Sequence, residues 1–256
     1  MKLDARPLQV VDLGVMRYRE AWARQQEAHE ALLAGGQPTL FLVEHPPVIT
    51  FGRRGVVPQH LLASAPRLQQ LGVEVVESDR GGDVTFHGHG QIVAYPILRL
   101  NDHGYSVGAY VHALEQRVID VLKQFEVSAY TDREAVGVWV ESSLSQYSGG
   151  GLGSGPSSID EREPPPYPSP GVPGEGIVRA AISQVEKICA IGVRVKRGVS
   201  MHGIALNVET NLRYFDLIVP CGINHRGVTS LRKLLGDQCP SIDNVRAAIA
   251  SHLSTL

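Results

Sequence analysis

VEVVESDRGGDVTFHGHGQIVAYPILRL, residues 73–100, decides the fold class. Val73 to Val76, Val84 to Phe86 and Ile92 to Leu100 are rich in β-branched and aromatic residues, and each ends at a Gly-containing turn. Three adjacent strands joined by short turns leave no room for a helix between them. That excludes a one-for-one βαβ alternation and predicts an α+β domain with a mixed, mainly antiparallel sheet flanked by helices.

Working outward, Met16 to Ala34 is helical in composition and stops at Gly35-Gly36. Thr39 to Glu44 and Val48 to Phe51 read as strands broken by His45-Pro46-Pro47. Pro58 opens a short helix through Leu62, and Pro66 interrupts the chain before Leu71. Ser106 is an N-cap for a long helix whose apolar positions, Val107, Val111, Leu114, Val118, Val121, Leu122 and Phe125, follow helical spacing. Val136 to Val140, Lys187 to Val199 and Ile204 to Val208 are further strands, and a helix from Asp243 to Leu253 closes the chain. Between them, residues 142–176 are about two-thirds Ser, Gly or Pro, a composition that cannot bury enough apolar surface to fold. Both flanks are core strands able to pair in one sheet. Residues 1–256 are therefore read as a single domain carrying a disordered insertion at 142–176, which costs little because loop-closure entropy grows only logarithmically with length.

Formal net charge is −2, charged residues are 20% and hydrophobic residues 43%. A nucleic-acid-binding domain would be markedly basic, so nucleic acid is not an expected partner. An acidic carrier protein remains compatible, because net charge does not report a local basic patch. The three cysteines, Cys189, Cys221 and Cys239, form no C-x-x-C pair and are odd in number, which points to a reducing compartment. The residues from Met1 to Val11 lack a secretory layout, and no apolar run approaches the roughly 20 residues that cross a bilayer. The expectation is a cytoplasmic protein without a membrane partner, or a matrix protein in a eukaryote.

Three stretches can carry chemistry. Arg80 to Tyr95 (RGGDVTFHGHGQIVAY) sets Arg80, His87, His89 and Gln91 among glycines. Such a turn either holds a carboxylate, a phosphate or an acyl carrier arm, or is a pair of tight hairpin turns with exposed histidines. His87-x-His89 lacks a third ligand of clear spacing, so no metal is expected. Lys187 to Asn207 (KICAIGVRVKRGVSMHGIALN) begins with a lysine at the lip of a strand, which either snorkels to water or faces a site. His202-Gly203 is expected in a turn before Ile204. Gly192, Gly203 and Ala205 leave space along a wall for an alkyl chain. In Val219 to Gly222 (VPCG), Cys221 lies in a turn between Pro220 and Gly222, where it is either a presented nucleophile or a small buried hydrophobe. Cys189 suits the second reading and Cys239 is incidental.

At these stretches the chain closely resembles the octanoyltransferases of lipoate biosynthesis, the lipoate-protein ligase B family. The resemblance runs from about Val11 to Ala250 outside the insertion. It rests on Arg80-Gly81-Gly82, Thr85, Phe86, His87, Gly90-Gln91 and Tyr95, then KICAIG at 187–192, SMHGIALN at 200–207 and VPCGI at 219–223. It implies a biotin/lipoate ligase-like catalytic domain, with Cys221 as the acyl-carrying nucleophile and Lys187 as its catalytic partner. Contacts to the acyl substrate are implied for Arg80, Gly81, Gly82, Asp83, Val84, Thr85, Phe86 and His87, for Ala190, Ile191 and Gly192, and for Gly203, Ile204 and Ala205. The implied donor is octanoyl-acyl-carrier protein. The implied acceptors are lipoyl domains of 2-oxoacid dehydrogenase complexes and the glycine cleavage H protein. No cofactor, metal or ATP is implied, and the sequence has no G-x-x-x-x-G-K-S/T phosphate loop. The departure is the insertion, which replaces a short turn just before Lys187. The competing readings are an ATP-dependent lipoate-protein ligase, a lipoyl amidotransferase, and a silent module that binds lipoyl domains or carriers without covalent capture.

Overall fold

The computed structural model describes residues 6–55, 58–142, 184–219 and 226–256. Most of 142–176 and all of 220–225, with Cys221, therefore lie outside the described residues.

The three strands of the opening stretch fall into two sheets. β4 (Glu74–Glu77) and β5 (Val84–His87) flank β3 (Val48–Phe51) in a small sheet, β3 running parallel to β4 and antiparallel to β5. β6 (Gln91–Ile97) belongs to the large sheet, whose order is β1 (Gln9–Val15), β2 (Thr39–Glu44), β6, β10 (Val199–Asn207), β9 (Gln184–Lys196), β8 (Val138–Ser142) and β7 (Ala129–Thr131). Only the β1–β2 pair on this path is parallel. The sheet is thus mixed and mainly antiparallel, as expected. β8 and β9, the strands flanking the insertion, are antiparallel neighbours.

Strand side chains alternate between faces, and the large sheet buries both. Leu42, Ile92, Ile204 and Leu206 pack under α3 (Val107–Gln124) and α5 (Ile242–Leu253), with Leu114, Val118, Ile249 and Leu253 as the helix contribution. Phe41, Val43, Val93, Tyr95 and Ala205 point the other way, toward Ala21 and Leu32 of α1 (Tyr18–Leu33). The small sheet lies on that second face: Val48 and Val76 meet Tyr18 and Trp22. Its own core joins Ile49, Phe51, Val84 and Phe86 to Phe215, Leu217 and Ile218.

Ser106 caps α3 as predicted, its hydroxyl accepting from Ala109 N at 3.2 Å. Pro66 does not interrupt the chain. It sits in the first turn of α2 (Ala65–Gln70), where the missing N–H has no helical partner to lose. His202-Gly203 is not a turn. Both residues lie within β10, paired with Val193 and Gly192, although His202 holds a left-handed φ of 58°. A two-residue strand, β11 (Gly227–Val228), runs parallel to β9 opposite Glu186 and Lys187, and α4 (Leu231–Leu235) follows it. The N-terminal half of β9 is therefore held between β8 and β11, and its C-terminal half pairs with β10 on one side and meets Gly81 at Val193 on the other.

Candidate active site

Between the second face of the large sheet and the small sheet lies a cavity of about 450 Å³, within the range of small-molecule sites. Its floor is two cross-strand pairs of small residues, Gly192 with Gly203 and Ala190 with Ala205. The Arg80–Gly82 loop closes over them. Gly81 N donates to Val193 O at 2.9 Å, and a Cβ on Gly192 would stand 2.9 Å from Gly81 O. Only glycine permits that approach.

Arg80, Gly81, Gly82, Asp83, Thr85 and His87 line the cavity, as do Lys187, Ala190, Ile191, Gly192, Gly203, Ile204 and Ala205. Val84 and Phe86 do not. Their side chains alternate away from Thr85 and His87 into the small-sheet core, 0% and 1% exposed, so any contact they make to a ligand falls to their backbone. His89 is exposed while His87 is buried, so the two histidines do not converge on one ligand.

Arg80 is not aimed at the lumen. Its Nε donates to Thr50 Oγ1 (3.1 Å), Nη2 to Thr50 O (2.6 Å) and Asp83 O (2.7 Å), and Nη1 to Gly81 O (3.0 Å). The guanidinium ties its own loop to β3, so its main work is to shape the wall.

Beneath the loop lies a group of aromatic and imidazole rings that sequence patterns did not assemble: Tyr18, His45, His87, Tyr95 and His202. Each histidine is held in one tautomer by an acceptor. His45 Nδ1 donates to Met16 O (2.7 Å), leaving Nε2 to accept from Tyr95 (2.8 Å). His87 Nδ1 donates to Gln91 Oε1 (2.8 Å), and the Gln91 amide donates to Asn207 Oδ1 (2.8 Å). His202 Nε2 donates to Asp79 Oδ1 (2.7 Å), and Asp79 pairs with Arg194. Burial pushes His45 down to about 4, and burial with the charges of Arg80 and Arg194 pushes His202 down to about 3. Burial, then His45 and Arg80, holds His87 well below the usual imidazole range. Near pH 7 the three inner imidazoles are therefore neutral and weak bases.

These three groups make the fold acid-sensitive. Their folded values lie below the unfolded value near 6.5, so the stability is fully present above that pH and is lost as protons bind the unfolded chain first. Taking His45 and His202 alone, the loss is roughly 2 kcal/mol each by pH 5. Urea unfolding followed by far-UV circular dichroism should show stability falling by about 4 kcal/mol between pH 7.5 and pH 5. A flat profile over that interval would mean that the rings are hydrated.

The outer end of the cavity is charged. Lys187 stands on β9 between Trp139 of β8 and Val228 of β11. Its Nζ donates to Val136 O at 3.0 Å and lies 4.6 Å from the centre of the Trp139 indole. Gly137, at φ 135°, leaves room for the lysine stem, since a Cβ there would sit 3.1 Å from Lys187 Cε. Arg226 stacks on the same indole at 5.0 Å and pairs with Asp132. Arg54, Arg80, Lys187 and Arg226 line the cavity together with Asp83 and Glu134 among the described residues, and Asp132 balances Arg226. Of the other cysteines, Cys189 is fully buried and its thiol is pushed up to about 12, and burial also raises Cys239. Neither is a thiolate near neutrality.

Residues 17–254 match the lipoyl protein ligase A/B catalytic domain. The chain is 40% identical over 248 residues to an octanoyltransferase of Chloroflexus aggregans, covering 96% of this chain and 93% of that one. It is 39% identical over 250 residues to an octanoyltransferase of Roseiflexus sp., covering 97% and 86%. In structure it is similar to a bipartite lipoate protein ligase from Thermoplasma acidophilum, with a TM-score of 0.63 at 14% identity over 98% of this chain and 83% of that one. That likeness gives the fold, and the sequence relatives give the rest: the chain belongs to the lipoyl protein ligase A/B catalytic domain family.

Proposed function

We infer that this protein is an acyltransferase that moves an octanoyl group onto lipoyl domains during lipoate synthesis, with Cys221 as the acyl carrier and Lys187 as its proton-transfer partner. The single observation that carries the reading is the pairing of a small-residue floor, Ala190, Gly192, Gly203 and Ala205, with a lysine at its end on the same strand. From Lys187 to Gly192 the strand rises roughly 16 Å, a run on which an alkyl chain can lie with its carbonyl toward the lysine. Cys221 precedes β11 by six residues, and β11 pairs with β9 at Lys187.

The chemistry balances without a further reactant. The Cys221 sulfur attacks the thioester carbonyl of octanoyl-acyl-carrier protein, and its proton passes to the neutral amine of Lys187. The tetrahedral intermediate expels the carrier sulfur, which takes that proton. The amine of the acceptor lysine then attacks the enzyme thioester. Its proton returns through Lys187 to Cys221 as the amide forms and the C–S bond breaks. The neutral inner histidines leave Lys187 as the base at the carbonyl end. The donor is octanoyl-acyl-carrier protein, and the acceptors are lipoyl domains of 2-oxoacid dehydrogenase complexes and the H protein of glycine cleavage.

Incubation with octanoyl-acyl-carrier protein without ATP should add one octanoyl group to the intact mass. Hydroxylamine should remove it, and Cys221→Ala should prevent it. No mass gain, with transfer to a lipoyl domain appearing only on addition of ATP and free octanoate, would favour the ligase reading instead.

A further inference from the structure

Trp139 is 1% exposed, yet two cations rest on its indole, Lys187 Nζ at 4.6 Å and Arg226 Cζ at 5.0 Å from the ring centre. Both measured from one point, the two positive charges lie within roughly 10 Å of each other, close enough to couple through the partly desolvated cavity. The segment from Asp132 to Gly137 clasps this group. Asp132 pairs with Arg226, and its Oδ1 accepts from Glu134 N at 2.8 Å. Ala135 O accepts from Trp139 Nε1 at 2.8 Å, Val136 O accepts from Lys187 Nζ, and Gly137 N donates to Glu115 Oε1 at 3.1 Å.

The charged groups around Lys187 come from every neighbouring element. Arg226 leads into β11, Asp132 and Glu134 come from the clasp, and Glu115 comes from α3. Glu186, next in β9, is bound to Lys233 at 2.6 Å. Cys221 lies in the segment outside the described residues. A second cation on a shared indole disfavours a protonated lysine, and the Asp132 carboxylate opposes that effect while fixing the arginine in place.

We propose that Arg226 is a positioning residue for Lys187: stacked on Trp139 and anchored by Asp132, it biases the lysine toward the neutral amine that serves as base. This rests on the role given to Lys187 above. Arg226 touches neither substrate nor reacting atoms in this scheme and acts only through the lysine.

The test is a titration of the full chain labelled with ¹³C in lysine side chains, the Lys187 Cε signal being identified by its loss in Lys187→Met. Arg226→Gln should move the Lys187 midpoint up by about half to one pH unit. Asp132→Asn should move it down, because the arginine keeps its charge and loses its counterion. Arg226→Lys should restore the wild-type midpoint. The pH dependence of acyl transfer should follow in the same directions. A tie that merely holds the clasp in place predicts the same direction of change, or none, for Arg226→Gln and Asp132→Asn, and that result overturns the proposal. The role of Lys187 is read separately: undiminished transfer by Lys187→Met would overturn that role whatever the titration shows.

Discussion

Lys187→Met should fold normally and lose between 10²- and 10⁴-fold of its octanoyl transfer, the range that a positioned acid–base group contributes. The lysine nitrogen hydrogen-bonds Val136 O and makes a cation–π contact, which at a partly exposed site is worth about 0.5–1 kcal/mol, so the loss of activity should far exceed any loss of stability. Methionine fills the same slot beside Gly137 and Trp139. Lys187→Arg separates the two ways in which the lysine can help. Arginine keeps the positive charge but does not give up its proton near neutrality. If Lys187 works as a base, Lys187→Arg fails as badly as Lys187→Met in both half-reactions. If it works as a fixed ammonium that stabilises the thiolate, Lys187→Arg keeps acylation of Cys221 and fails only in transfer to the acceptor lysine. Single-turnover mass spectrometry of each half-reaction distinguishes the two. Both variants within tenfold of wild type would remove Lys187 from the chemistry.

Much of this arrangement was legible before the fold was known, and the parts that were not have physical reasons. The apolar spacing of α3 and its Ser106 cap are local signals, and both hold. The pairing of β8 with β9 across the insertion followed from the apolar character of the flanks. Membership of the octanoyltransferase relatives was carried by motifs at Arg80, Lys187 and Cys221. What local pattern misses is which way a side chain turns. VTFH is a continuous run of candidates in sequence, yet only Thr85 and His87 reach the cavity, because the strand buries both faces and gives no polar alternation to read. His202 looked like a turn residue because the next position is glycine. The structure keeps it in β10 with a left-handed φ, tied to Asp79 through its ring and to Gln25 Oε1 through its backbone N–H at 2.8 Å. β1 went unread although Val11, Leu13 and Val15 alternate with Asp12 and Gly14 at strand spacing, and Val11 and Leu13 pack on the core of the second face. The stacking of Lys187 and Arg226 on Trp139 joins residues far apart in the chain, and no spacing rule reports it.

Arg80→Lys should be nearly as damaging as Arg80→Met, although it keeps the charge. The guanidinium serves Thr50 Oγ1, Thr50 O, Asp83 O and Gly81 O from three nitrogens in a fixed plane. A lysine ammonium is a single point and cannot span acceptors on both β3 and the 80–83 loop. Several buried oxygens then lose a donor at about 1–3 kcal/mol each, and relaxation limits the total to roughly 3–5 kcal/mol. That corresponds to a fall of about 10 °C in Tm. Because Gly81 is pinned over Gly192 by this loop, the cavity wall loosens too, and octanoyl transfer should fall at least tenfold with a rise in KM. If Arg80→Lys matches wild type in both Tm and KM, then the charge alone is what the loop needs, and the forked geometry at Thr50 and Asp83 carries no energy.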